Sequence, residues 1–148
     1  MSTIVEHSVE IDAPVPQVFD YVDDFGNTRD WLYGLERIEP VTEQLRGVGA
    51  TYEGTMKVGV RLTSRLRCTA WEKDSFIEIS SLDGIRNTQR WRFTRLDGDR
   101  TRVDAWISFD LPGGAAGRAA GAAVRPLIGV AVKHTSQRLV ENLEARSA

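Results

Sequence analysis

Few residues in this chain are of types that do chemistry, and their spacing groups them on one surface. His7 alternates with Val5, Val9 and Ile11 along a period of two, so it shares an apolar strand face. A histidine there can orient a carbonyl or act as a general acid or base near neutral pH. It can equally be a hydrogen-bonded residue near a strand end. Asn87 and Gln89 alternate with Trp91 and Phe93 and can both donate and accept toward a carbonyl or hydroxyl. Ser64, Tyr52 and Thr135 share the same inward parity, as does the single cysteine, Cys68. Polar groups on an apolar face are costly unless paired, and a few of them in apolar walls describe a small-molecule cavity. His7 and Tyr52 are the candidates for proton transfer.

Other chemistries leave no trace in the sequence. His134 lies about 120° from the centre of the last helical stripe at ~100° per residue, so it is expected in solvent. With no carboxylate or second histidine at a matching spacing, neither a metal centre nor a cofactor is expected. Phosphate-cradling glycine motifs and the GxSxG nucleophile elbow are not found in the chain.

The elements that position these residues follow from periodicity. Ile4 to Ile11 alternates as a strand. Pro14 and Pro16 suit a first helical turn, and Val15, Val18, Phe19 and Val22 form one helical stripe behind them. Asp23 to Asn27 breaks that helix, and Thr28 to Leu32 supplies a second short turn carrying Trp31. From Leu35 to Phe109, turn signals recur about ten residues apart, dividing six antiparallel strands. Asp83-Gly84 and Asp97-Gly98 are the strongest of them, because such turns require positive φ. Pro40 favours an edge for its strand.

Strand alternation also assigns an outer face. Arg61, Arg65, Arg67, Arg86, Arg90, Arg92 and Arg102 fall on it, and so does Asp104. Parity puts Trp71 and Trp106 there too and Ala70 inside. Exposed tryptophans would suit a contact surface or a homodimer. Beyond Leu111-Pro112-Gly113-Gly114, an Ala/Gly-rich helix runs to about Ala145, with Gly121, Val124, Ile128, Val132, Thr135, Leu139 and Leu143 on one stripe. Pro126 is expected to kink it or to delay its start.

Composition bounds the function. The 148 residues make one domain, 1–148, without repeat or linker. Net charge is −2, from 19 Lys+Arg against 21 Asp+Glu, which argues against a nucleic-acid binder. No run approaches the ~20 apolar residues of a membrane span. The opening MSTIVEHSVE has neither the basic nor the apolar region of a secretory signal, and a cytoplasmic protein is expected.

The opening VEIDAPVPQVFDYVDDFGNTRDW resembles the polyketide cyclase/dehydrase branch of the START-like (SRPBCC) superfamily. LRGVGATYEGTM is similar to that family's Gly-rich second hairpin, and RWRFTRLDGDRTRVDAWISFDLPG to its last hairpin. The resemblance spans essentially the whole chain. It implies an α+β helix-grip fold: a curved antiparallel sheet of about seven strands around a long C-terminal helix, with an internal cavity. It also implies that Trp31 and Tyr33 sit at the cavity mouth and Trp91 in its wall. Three functions are then expected in order. The first is binding of a small hydrophobic molecule such as a lipid or polyketide, by His7, Trp31, Tyr33, Tyr52, Ser64, Asn87, Gln89, Trp91 and Thr135. The second is a polyketide cyclase or dehydratase using His7 or Tyr52. The third is an interaction module using the outer Arg/Trp face.

Overall fold

Residues 3–58, 60–110 and 114–147 are described by a computed structural model. The order is β1 (Thr3–Ile11), α1 (Val15–Asp23), a 3₁₀ turn (Phe25–Asn27) and α2 (Thr28–Trp31). Six strands follow: β2 (Leu35–Pro40), β3 (Thr51–Val58), β4 (Val60–Glu72), β5 (Phe76–Ser81), β6 (Arg86–Leu96) and β7 (Arg100–Asp110). The last element is α3 (Gly114–Ser147). The seven strands form one antiparallel sheet ordered β1-β7-β6-β5-β4-β3-β2, so consecutive strands pair and β1 closes back on β7. Pro40 lies on the edge strand β2, where its missing N–H costs no ladder bond.

α1 begins where expected. Pro14 is its N-cap and Pro16 sits in its first turn, where the missing N–H has no intrahelical partner to lose. Its stripe Val15, Val18, Phe19 and Val22 is buried, with Tyr21 alongside. The helix ends at Asp24, whose carboxylate accepts from the Gly26 amide at 2.9 Å and turns the chain into the 3₁₀ turn. α3 lies along β1 and buries Val124, Val132, Thr135, Leu139 and Leu143, the stripe read from the sequence. The helix starts at Gly114 and continues through Pro126, so the proline does not delay the start. The turn at Gly59 and the segment 111–113 lie outside the described residues.

One placement differs from strict alternation. β4 carries a bulge between Cys68 and Ala70: Cys68 pairs with Ile79, Ala70 with Glu78 and Trp71 with Ile77. An extra residue in one strand moves everything beyond it to the opposite face. Trp71 is therefore not outside. Its ring packs edge-on against Phe19, with centroids 5.6 Å apart, and its indole N–H donates to Asp23 Oδ1 at 2.9 Å. Ala70 takes the outer position, opposite Glu78.

The outer face pairs several of its charges, some between strands and one along a strand. Arg90 meets Glu78 at 2.8 Å, Arg102 meets Asp104 at 3.0 Å and Arg61 meets Glu36 at 3.0 Å. Trp106 stays on this face but is half-buried beneath the Arg90 guanidinium, 4.3 Å from its ring centroid.

The Asp-Gly turns adopt the backbone their sequences demand, with φ +73° at Gly84 and +75° at Gly98. Their surroundings differ. A Cβ on Gly84 would lie 2.2 Å from the Thr63 carbonyl oxygen, whereas one on Gly98 meets nothing within 4 Å. Gly98→Ala should therefore cost only the left-handed strain, about 1–2 kcal/mol. Gly84→Ala should cost clearly more, because backbone must also move. Paired urea melts of the two variants check this, and equal midpoints would refute it.

Candidate functional site

Between the concave face of the sheet, α3 and the α1–α2 region lies a cavity of about 200 Å³. Its existence is written in the exposure pattern. Inward residues under α1, such as Phe93, Val103 and Trp91, are fully buried. Inward residues elsewhere on the sheet, and Ile128 on α3, are not: Met56, Leu62, Leu66, Ile79, Ile107 and Ile128 line the cavity and are only half-buried. Large apolar side chains left short of contact in the middle of a covered sheet face mark space that no side chain fills.

Most of the expected site residues reach this space. Trp31, Tyr33, Tyr52, Ser64, Asn87, Gln89, Trp91 and Thr135 all line it. His7 does not: it is half-buried on β1, the edge strand beside α3. It lies on the concave face, but the cavity is lined by β2 to β7 and by no residue of β1. Neither ligand contact nor proton transfer from His7 is therefore carried by the structure.

The register arranges the remaining residues along the cavity. At one end Trp91 pairs with Ile77, and Trp31 packs edge-on to Trp91 at 5.5 Å. In the middle Gln89 lies between Ile79 and Ile107. At the other end Asn87 pairs with Phe109. Tyr33 stacks on the exposed His134, with centroids 4.8 Å apart. Its backbone N–H donates to Thr135 Oγ1 at 2.9 Å, tying the α2–β2 connection to α3. Thr135 thus anchors this connection as well as lining the cavity.

Two polar atoms in these walls are buried without a partner: the indole Nε1 of Trp31 and the amide Oδ1 of Asn87. The amide nitrogen of Asn87 is committed, donating to the Ile85 carbonyl at 2.9 Å, which leaves the oxygen facing away from that bond. One is an N–H donor and the other a C=O acceptor. Leaving each unmade costs about 1–3 kcal/mol.

Tyr52 and Cys68 are poor proton-transfer groups. The Tyr52 hydroxyl donates to the Leu45 carbonyl. Burial, then the nearby Asp23 charge, pushes its pKa up to about 12. The phenol therefore stays neutral, with its oxygen as an acceptor. Burial likewise pushes the Cys68 thiol up to about 11, and its sulfur donates to the Ala70 carbonyl at 3.4 Å. A protonated thiol is a weak nucleophile.

Asp23 is the residue that sequence reasoning missed. In sequence it belongs to a helix-breaking Asp-rich turn, yet its side chain is only 7% exposed and lines the cavity. Oδ1 accepts from the Trp71 indole, and Oδ2 lies 4.0 Å from Arg46 Nη1. Burial raises its pKa above the ordinary value near 3.8, opposed by the Trp71 hydrogen bond and the Arg46 charge. The available signal was the helical spacing from Phe19, since Asp23 sits four residues on and one turn further along the buried side.

The raised pKa couples Asp23 to stability. The folded carboxyl holds its proton more tightly than the unfolded one, so the fold is favoured at low pH. That advantage is lost as pH rises from about 3.8 through the folded value. Asp23→Asn keeps an acceptor for Trp71 and removes the buried charge. It should melt no lower than wild type at neutral pH, and wild type should gain on it as pH falls through 4. Thermal melts across that range test this; a variant much less stable at pH 7 would refute it.

Among the described residues no group of three potential ligands could hold a metal ion, and no helix is long and apolar enough to cross a membrane.

No curated protein matches the chain. Among solved structures, a Thermus thermophilus protein superposes with TM-score 0.83 at 21% identity, covering 99% of this chain and 100% of its own. The Zhui aromatase/cyclase of a Streptomyces species gives TM-score 0.78 at 19% identity, covering 100% and 97%. A START superfamily protein of Mycobacterium smegmatis gives 0.79 at 16%, covering 96% and 97%. These likenesses establish the helix-grip architecture. The family described as polyketide cyclase / dehydrase and lipid transport matches residues 2–148, and the chain belongs to it.

Proposed function

We propose that the protein binds a small, mostly apolar molecule carrying at least one polar group in the cavity between the sheet and α3. The observation that carries this reading is the pair of unpartnered polar atoms, Trp31 Nε1 and Asn87 Oδ1, in walls that are mostly under-packed apolar side chains. An apolar cavity of roughly 150 Å³ takes up benzene. About 200 Å³ with a mouth beyond it suits a molecule of about one to two rings. Burial of the apolar skeleton supplies the drive at roughly 25 cal/mol per Å². Asn87, Gln89 and Trp31 orient the polar group.

Titration with N-phenyl-1-naphthylamine, a neutral apolar fluorophore, tests the reading. Saturable enhancement at one site per chain is expected. No enhancement, together with a native mass spectrum free of any small molecule, would overturn it.

A second reading is a cyclase or dehydratase acting on a poly-β-keto chain. The family description and the cavity carboxylate of Asp23 favour it. Turnover could then come largely from holding the chain folded. The interaction-module reading loses its main support with Trp71 turned inward, Arg90 paired to Glu78 on the next strand and Arg102 paired to Asp104 on its own.

A further inference from the structure

The carboxylate of Asp23 is an expensive group to place in an apolar cavity, and the fold spends specific contacts on keeping it there. Phe19 packs edge-on against Trp71 at 5.6 Å, and Trp71 in turn donates to Oδ1 at 2.9 Å. That single donor fixes the plane of the carboxylate. It leaves Oδ2 with no hydrogen bond among the described residues, and its ion-pair partner Arg46 is 4.0 Å away and half-exposed. A buried charge this weakly compensated is not a stability device, because a buried ion pair needs close geometry to offset its desolvation. A second observation lies at the same end of the cavity: the Trp31 indole N–H is buried with no acceptor. A ligand oxygen that accepts from Trp31 and donates its proton toward Asp23 satisfies both. A hydroxyl does this with one atom.

We propose that Asp23 is the anchor for the hydroxyl of the bound molecule, and that the ligand is an apolar skeleton bearing an acidic O–H, phenolic or enolic. The inference rests on the cavity-binding reading and sharpens it. The bond is charge-assisted, of the short and strong class that carboxylates form with O–H donors. Arg46 lies 4.0 Å from Asp23 and 3.6 Å from the neighbouring carboxylate of Asp24, so it is shared between the two and not committed to either. Tyr52, whose proton is given to Leu45, offers no competing donor to Asp23. No cysteine thiolate competes either, since Cys68 is held as the thiol.

The test compares 2-naphthol with 2-methylnaphthalene, which differ by hydroxyl against methyl at nearly equal size. In an apolar cavity without an anchor the methyl compound binds more tightly, because the hydroxyl must leave water. With the anchor the order inverts, and 2-naphthol should bind wild type about tenfold more tightly. Asp23→Asn should restore the order of a plain apolar cavity.

Each outcome decides. A wild type that prefers 2-methylnaphthalene overturns the anchor while leaving cavity binding intact, and needs no variant to fold. A preference for 2-naphthol that survives Asp23→Asn overturns it too. A preference that disappears in Asn87→Leu instead would assign the anchor to Asn87 and refute Asp23. If wild type binds neither probe, the cavity reading itself fails and the anchor falls with it.

Discussion

Leu66→Trp should cut uptake of an apolar probe by tenfold or more and leave the melting temperature unchanged or raised. Leu66 sits mid-sheet on β4, between Tyr52 on β3 and Ser81 on β5, and it lines the cavity. It is inward yet only half-buried, so a larger side chain there grows into empty volume. In a close-packed core the same exchange forces neighbours aside and costs about 1–3 kcal/mol. The two measurements are therefore coupled. Lost binding with retained stability means the probe and the indole compete for one space. Retained binding with retained stability would put the probe elsewhere on the molecule. Lost stability would mean that the cavity is not open at Leu66. Tenfold is the factor expected from about 1.4 kcal/mol, which corresponds to displacing roughly 55 Å² of apolar contact at 25 cal/mol per Å².

The sequence carried the architecture far better than the site, for physical reasons that individual residues illustrate. Turns and faces are local properties. Gly84 and Gly98 announce positive φ, Pro14 and Pro16 announce a helix start, and the structure contains both turns and that helix. Period-two alternation likewise assigns a strand to a face, but it fails where a strand gains a residue. Nothing in RCTAWE signals that the bulge falls between Cys68 and Ala70. That single insertion moved Trp71 from a supposed contact surface to the support of Asp23. Position along a face is a global property, set by the lie of α3 across the sheet. Parity placed His7 and Gln89 on the same concave side, but only Gln89 reaches the cavity. Asp23 was hidden by its neighbours. In an Asp-Asp-Phe-Gly-Asn turn an aspartate reads as a helix stop, which Asp24 in fact is. The adjacent carboxylate is buried where the Trp71 indole hydrogen-bonds it, a contact set by a strand far away in sequence.

Phe19→Ala should produce the largest loss of stability of any substitution considered, about 3–5 kcal/mol, and it should damage the site as well as the fold. Phe19 is 1% exposed on the inner face of α1. Its ring meets Phe93 edge-on at 5.1 Å and Trp71 at 5.6 Å, joining the helix to both β6 and β4. Truncation opens a void between three elements that cannot close together, since α1 is pinned at its start by Pro14 and at its end by the Asp24 turn. At about 2–4 °C per kcal/mol for a domain of this size, the midpoint should fall by roughly 6–20 °C. The functional consequence follows from the same ring. Without Phe19 the Trp71 indole loses its edge contact and can leave the Asp23 carboxylate, which would then gain solvent through the void. A variant that remains folded below its midpoint should therefore retain apolar probe binding but lose the preference for 2-naphthol over 2-methylnaphthalene. Retention of the full preference at that lower stability would show that Asp23 holds its place without Trp71. The chain of contacts from α1 through Trp71 would then serve packing alone.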